Sequence, residues 1–352
     1  MDQTDWDAAP SWARQANQPA TYPRSFVIVA ESRGIGREEL LQRAGVLPEA
    51  LDDPAGRISL VDTWRVMAAA VALTGDTGLG FETGLKLPLT AHGSLGYALM
   101  CAPTPREAIE VLERFWHLRG RGFLMTASME EDELFFEVIP EWPLPVPLRD
   151  AMFASMLTSI CRGIQFVLPE APAEPVIWWQ GRDDTTYQRL QASLPEVRFG
   201  MPCGAVVIRG DARWLDRPQP SANSEAFEQA LEQCRRESAL MRGGDQVVQQ
   251  TRMALVLGSR GYPSPDEVAE RLHMTPRTLR RHLHDERQSY QSLLEEARRR
   301  DSARLLDSAG LEVRRIAEWL GYADPANFTR AFKNWTGMTP SAWRRAQQKE
   351  DD

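Results

Sequence analysis

The sequence predicts an α+β N-terminal domain followed by an all-α C-terminal domain with two helix-turn-helix units joined by a linker helix. Three observations lead to this class. Near the carboxyl end, a helix start made of a capping residue and Pro occurs twice. Thr275 and Asp324, Pro276 and Pro325, Leu279 and Phe328, and Leu283 and Phe332 are each 49 residues apart. From Ser25 to Trp214, helical and strand periodicities are mixed. The charge is also divided: residues 251–352 carry 18 Lys and Arg against 15 Asp and Glu, whereas residues 1–250 carry 23 against 34. The overall −8 of this 352-residue chain therefore combines a mildly basic head with an acidic body, which suits two domains or so.

Taken in order, residues 1–21 are expected to be disordered and 22–217 to form the α+β domain. ISLVDTWRVMAAAVAL (58–73) reads as a buried helix. GDTGLGFETG (75–84) lacks both the GK[ST] ending of a phosphate loop and the GxGxxG spacing, and is expected to be a plain loop. TPREAIEVLERFW (104–116) offers Thr104 as a cap and Pro105 at the first helical position. FLMTASM (123–129) and ELFFEVI (133–139) flank a polar turn and predict a β-hairpin. RDAMFASMLTSICRGIQFVL (149–168) is a long apolar helix, and PVIWW (175–179) and GAVVIRG (204–210) read as buried strands. Strand periodicity sends Trp178 and Trp179 to opposite faces. A Pro-rich start and Gly243-Gly244 bracket a linker helix over 218–244. Its apolar stripe of Phe227, Ala230, Leu231, Cys234 and Met241 either packs on the parent domain or pairs with its twin in a dimer.

The C-terminal unit spans 245–346 and an acidic tail follows at 347–352. In SPDEVAERLHMTPRTLRRHLHDE, Val268, Ala269 and Leu272 line one helix, His273-Met274 make the turn, and Leu279 and Leu283 point inward from a second. IAEWLGYADPANFTRAFKNWTGMTP repeats the construction, with Phe328, Phe332 and Trp335 on one face and Asn327, Arg330 and Asn334 on the other. A single such pair is what ordinary core helices also look like. Repetition in register points instead to helix-turn-helix units, whose second helix enters the DNA major groove. QSLLEEARRRDSARLLD between them is a helix roughly 26 Å long, fit to hold two reading helices near one DNA turn, about 34 Å, apart. Arg277, Arg280, Arg281, Asn327 and Arg330 are the candidates for base readout, because guanidinium pairs in bidentate fashion with guanine and carboxamide with adenine. Thr278, Lys333 and Arg344 are candidates for phosphate contacts. The Arg298-Arg299-Arg300 run reads as electrostatic background.

ARLLDSAGLEVRRIAEWLGYADPANFTRAFKNWTGMTPSAWRR resembles the C-terminal signature of AraC/XylS transcription regulators, through Ile316-Ala317, Gly321-Tyr322, Asp324-Pro325, FTRAFK at 328–333, Gly337-x-Thr339-Pro340 and Trp343-Arg344. The likeness extends back through MTPRTLRRHL and covers about 252–345. Arg287 stands where many relatives carry Gly, and Ala326 where Ser is common. A looser likeness, centred on TAHGSLGYALMCAPTPREAIEVL, is to the N-terminal sensor region of a subgroup that detects amino acids, amines or fatty acids. The resemblance implies a sequence-specific DNA-binding regulator, an activator controlled by a small-molecule effector, acting with RNA polymerase and as a homodimer.

An effector pocket needs aromatic walls and a few converging polar groups. His92, Tyr97, Trp116, Arg119 and Phe123 are the candidates, because they surround the most family-like segment. Nothing assembles into a catalytic set or cofactor motif, so no enzyme and no cofactor is expected. Cys101, Cys161, Cys203 and Cys234 show no metal-ligand spacing and suit a reduced, cytoplasmic chain. His282 and His284, two apart on a helix, share a metal poorly, and no metal is expected. No apolar run is long enough to span a bilayer. Two other readings stay open: a ligand-independent repressor or architectural DNA binder, and an enzyme fused to a DNA-binding head.

Overall fold

Apolar residues of the first two-thirds of the chain gather around one long helix, Val146–Val167, whose Leu148, Ala151, Ala154, Leu157 and Cys161 are almost fully buried. The computed structural model describes residues 6, 9 and 11–350, apart from 54–55, 77, 120–121, 131, 142–143, 168–172, 180–184, 202, 241–242, 258–260, 273 and 308–310. The chain divides into two units, Met1–Ser238 and Ala239–Asp352.

The first unit is α+β. Its helices are α1 (Thr21–Glu31), α2 (Arg37–Ala44), α3 (Glu49–Asp52), α4 (Leu60–Thr74), α5 (Leu79–Lys86), α6 (Gly93–Cys101), α7 (Pro105–Phe115), α8 (Val146–Val167), α9 (Thr185–Leu190) and α10 (Ser224–Leu240). Its strands are β1 (Ala16–Pro19), β2 (Arg57–Ser59), β3 (Phe123–Glu130), β4 (Glu133–Pro140), β5 (Val176–Trp178), β6 (Val197–Arg198) and β7 (Ala205–Arg209). The five-stranded sheet runs β3-β4-β7-β5-β6, with only the β5–β6 pair parallel. The predicted hairpin is in register from Phe123 opposite Pro140 to Glu130 opposite Glu133. Leu134, Phe136 and Val138 alternate inward along β4, as a half-buried strand requires. Trp179 is buried beside Phe81, with ring centroids 5.3 Å apart, while Trp178 stays half-buried and meets Phe135 edge-on.

Two expectations need correction, and one choice between readings is decided. Residues 1–21 are not wholly disordered: β1 pairs antiparallel with β2, and Ala13 and Ala20 are fully buried. A four-residue strand with Asn, Gln and Pro in it and a three-residue partner carry almost no periodic signal, so this pairing is set by a non-local contact. The 75–84 segment is not a loop, because α5 occupies most of it. Its glycines serve helix packing: a Cβ on Gly80 would lie 1.9 Å from the Ala151 carbonyl oxygen, and one on Gly84 would lie 2.5 Å from that of Ser155. Of the two readings of the stripe on the predicted linker helix, packing within the chain is the one observed. Phe227, Ala230, Leu231 and Cys234 are covered within the chain itself, and Met241 lies outside the described residues.

The second unit is all helical: α11 (Gly243–Ala254), α12 (Pro265–Arg271), α13 (Pro276–Asp285), α14 (Tyr290–Asp307), α15 (Val313–Trp319), α16 (Pro325–Thr336) and α17 (Pro340–Glu350). Val268, Leu279, Leu283 and Leu293 belong to one apolar core. Ile316, Leu320, Phe328 and Phe332 belong to another, and Tyr262 packs against both.

Candidate nucleic-acid interface and ligand cavity

The helix-turn-helix geometry is built locally. At α13, the Thr275 hydroxyl accepts from the Thr278 backbone N–H at 3.2 Å, and at α16 the Asp324 carboxylate accepts from the Ala326 N–H at 2.8 Å. Each satisfies an orphan donor at a helix start, and Pro follows each cap at no cost in hydrogen bonds. The turns match too: the Met274 N–H donates to the Ala269 carbonyl and the Tyr322 N–H to the Ala317 carbonyl, both at 2.9 Å. The second turn holds one residue more. The first helices of the two pairs correspond at an offset of 48 as far as Met274 and Tyr322, the second at 49, so the extra residue is Ala323, between that turn bond and the Asp324 cap.

Leu279 and Leu283 are buried on α13, so Arg277, Arg280 and Arg281 are exposed together on the other side. Phe328 and Phe332 do the same on α16, leaving Asn327, Arg330 and Lys333 exposed. Arg330 Nη2 donates to Asn327 Oδ1 across one turn, so the two candidate readers on α16 orient each other. Thr278 is half-buried beside Thr275, its hydroxyl 2.9 Å from the Thr275 hydroxyl. Arg344 differs: its Nε donates to the Leu306 carbonyl at 3.1 Å, and its Nη2 is buried. It holds the chain end to α14 rather than presenting a charge outward, because Trp343 next to it packs on Phe332 with ring centroids 5.8 Å apart.

The arginine run on α14 is likewise more than background charge. Arg298 Nε donates to the Leu320 carbonyl at 2.8 Å, and its guanidinium lies 4.8 Å from the Tyr322 ring centroid, gripping the second turn. Arg300 donates to the Leu255 carbonyl and to buried Asp301, which also accepts from the Tyr262 hydroxyl at 2.7 Å. Arg299 stays exposed. One helix thus carries contacts to both helix-turn-helix units.

In the first unit, a cavity of about 160 Å³ opens between α1, α4, α6, α7 and α8. Phe26, Leu60, Met67, Leu95, Phe136 and Met156 are among its apolar walls. Four of the five candidates from the sequence, His92, Trp116, Arg119 and Phe123, line it. Tyr97 does not: at 52% exposure it faces outward from α6. Trp116 also ties the wall together, its indole N–H donating to the Phe123 carbonyl at 2.8 Å.

The polar groups sit together. The Tyr22 hydroxyl lies 3.0 Å from His92 Nδ1, and His92 Nε2 lies 3.2 Å from the Ser159 hydroxyl. Burial, helped by the Arg119 charge, lowers the His92 pKa to about 4, so the ring is neutral at pH 7 and uses one nitrogen as donor and the other as acceptor. Burial pushes the Tyr22 phenol above its ordinary range, so it stays protonated. Arg119 Nη2 donates to Glu237 Oε2 at 2.8 Å, on α10. Room for the guanidinium comes from Gly93, at φ 57°, where a Cβ would lie 2.4 Å from Nη2. Sequence reasoning missed Tyr22, Ser159 and Glu237. Ser155 and Ser159, four apart on a mostly apolar helix and both at the cavity, were the available signal. Among the described residues no group of three or more His, Cys, Asp or Glu could hold a metal ion, and no helix is long and apolar enough to cross a membrane.

Comparison with known proteins agrees with both halves. Residues 34–219 match the family model of the arabinose-binding domain of AraC transcription regulators, N-terminal part, and residues 268–346 match a helix-turn-helix domain. An ornithine utilization regulator of Pseudomonas aeruginosa is 28% identical over 333 residues, covering 93% of this chain and 96% of that protein. The helix-turn-helix transcriptional regulator VirS of Mycobacterium tuberculosis is 26% identical over 320 residues, covering 89% and 92%. The crystal structure of the transcriptional regulator CdpR from Pseudomonas aeruginosa aligns over 90% of this chain and 98% of that one, at 22% identity and a TM-score of 0.41. The chain belongs to the AraC family of transcription regulators. It joins an N-terminal ligand-binding domain to a helix-turn-helix DNA-binding domain, and it is an effector-responsive regulator of transcription.

Proposed function

We propose that α13 and α16 read two successive major-groove segments of one operator, and that a ligand in the N-terminal cavity sets how well they do so. Arg277, Arg280 and Arg281 are assigned to base edges in one segment, Asn327 and Arg330 to those in the other, and Thr278 and Lys333 to the phosphates between. The observation that carries this reading is the pair of capped, Pro-initiated helices, each burying its apolar side and exposing arginine on the other. A ligand shifts DNA occupancy only by binding two conformers unequally. His92, Trp116, Arg119 and Phe123 line the cavity that would receive it. The matched domain is named for arabinose and the Pseudomonas relative for ornithine utilization. Most residues lining this cavity are apolar, which suits an effector with a larger apolar surface than either molecule.

Activation rather than repression, contact with RNA polymerase, assembly as a homodimer and action in the cytoplasm complete the reading and rest on family likeness. DNase footprinting of the full chain on the promoter beside its own gene, with and without a metabolite panel, tests it. Two protected segments one helical turn apart, with protection that responds to a metabolite, are expected. Protection that no metabolite changes would leave the ligand-independent repressor in its place.

A further inference from the structure

Among the described residues lining the cavity, one is charged besides the neutral His92, and it is a cation. Arg119 is about nine-tenths buried, yet its Nε has no hydrogen-bond partner among the described residues. Its Nη2 is held by Glu237 and lies 3.5 Å from the Ser94 hydroxyl. A buried guanidinium donor left unpaired is costly, so a site that keeps one is arranged for an acceptor. The Tyr22, His92 and Ser159 chain adds further hydrogen-bonding groups at the same cavity, whereas the remaining walls, apart from Gln18, Thr63 and Ser155, are almost all hydrocarbon. A planar carboxylate matches the Nε–Nη edge of a guanidinium, and an ammonium group would meet like charge there. Hydrophobic cavities of about this size hold a body the size of benzene, which limits the apolar part to a short chain or one ring in the absence of rearrangement.

Resting on the effector-responsive reading above, we propose that the cavity takes a small apolar carboxylic acid as its carboxylate, which docks on Arg119 beside Tyr22, His92 and Ser159 and competes there with Glu237. The competition gives the ligand a handle on the rest of the chain. Glu237 stands near the end of α10, one residue before the first unit ends at Ser238. The neighbouring Ser238 hydroxyl is itself tied to His117 Nε2 at 2.9 Å. A carboxylate that draws the Arg119 charge away from Glu237 loosens one of the ties holding the end of α10, and bound and free forms then differ where the second unit begins.

Calorimetric titration of the full chain with butanoate, pentanoate and hexanoate tests the assignment against 1-alkanols and 1-alkylamines of equal length. The carboxylates are expected to bind at least about tenfold more tightly than the alcohols, the gain of a charge-assisted pair, and the amines not at all. Arg119→Gln should bring carboxylates down to the level of the alcohols. Glu237→Gln, which keeps the shape and removes the competitor, should raise carboxylate affinity by about tenfold, and it decides the matter if Arg119→Gln fails to fold. Alcohols or amines binding as tightly as carboxylates, a Glu237→Gln variant that binds carboxylates more weakly, or no binding by any of the three series would overturn the proposal. The regulatory reading fails separately. Carboxylates that bind as expected but leave the footprint unchanged count for this site and against its control of DNA binding, while a footprint that answers only to an unrelated metabolite counts against the site.

Discussion

Arg330 and Asn327 share a hydrogen bond on the exposed side of α16, and a base-reading role predicts more than loss of charge when one is removed. Arg330→Ala is expected to weaken binding to the specific site by about 1–3 kcal/mol and to relax one position of that site. Competition binding against singly substituted sites measures both, and equal loss on specific and random DNA would reduce Arg330 to a backbone contact. Arg287 makes a different kind of statement. It is the one non-glycine residue at positive φ among the described residues, at 56°, just past α13. There the Gln288 N–H donates to the Leu283 carbonyl at 2.8 Å and closes the helix end. The left-handed conformation costs a side-chain-bearing residue roughly 1–2 kcal/mol, so Arg287→Gly should raise stability by about 1 kcal/mol. Urea denaturation of both forms checks the sign, and an unchanged midpoint would show that contacts of the Arg side chain offset the strain. At this scale, chemistry and exposure were legible in the sequence for the arginines of α13 and α16, since helical periodicity alone places them opposite buried leucines and phenylalanines. They were not legible for Arg298, Arg300 and Arg344, whose partners are backbone carbonyls on other segments.

Capped helices are the elements that sequence specifies best, because the donor, the acceptor and the Pro lie within four residues of one another. Thr104, Thr275 and Asp324 all cap where their sequence context places them. The 75–84 segment shows the opposite case. Its glycines suggest a loop by propensity, which normally counts against helix by about 1 kcal/mol each. Contact with α8 overrides this, because only a residue without Cβ lets the two backbones approach so closely. Gly80→Ala should therefore destabilise the first unit by about 1–3 kcal/mol, as overpacking does, despite the better helix propensity of Ala. Thermal unfolding followed by circular dichroism reads the effect, and a stabilised variant would mean that α5 and α8 separate without cost. Stripes behave similarly: the pattern on α10 correctly marks an apolar face, but pattern cannot say whether the partner is the parent domain or a second copy.

Taken whole, the chain is net positive over residues 251–352, which contain the helix-turn-helix domain, and net negative over residues 1–250. Binding should weaken steeply with added salt as counterions are released. If Lys333 meets a phosphate, Lys333→Ala should lower the slope of log affinity against log salt by about 1 while leaving the preferred site unchanged. Titration of specific and random DNA at several salt concentrations checks this, and an altered site preference would move Lys333 among the base readers. The sequence by itself determined the two-part plan, the doubled helix-turn-helix with its caps and exposed arginines, and the hairpin, because each depends on periodicity or on groups a few residues apart. Only the tertiary structure decided the β1–β2 pairing, the helix hidden in a glycine-rich segment, the grip of α14 on both helix-turn-helix pairs within the second unit, and the meeting of Tyr22, His92, Arg119, Ser159 and Glu237. Those contacts join residues many positions apart, and chain folding rather than local propensity brings them within hydrogen-bond reach.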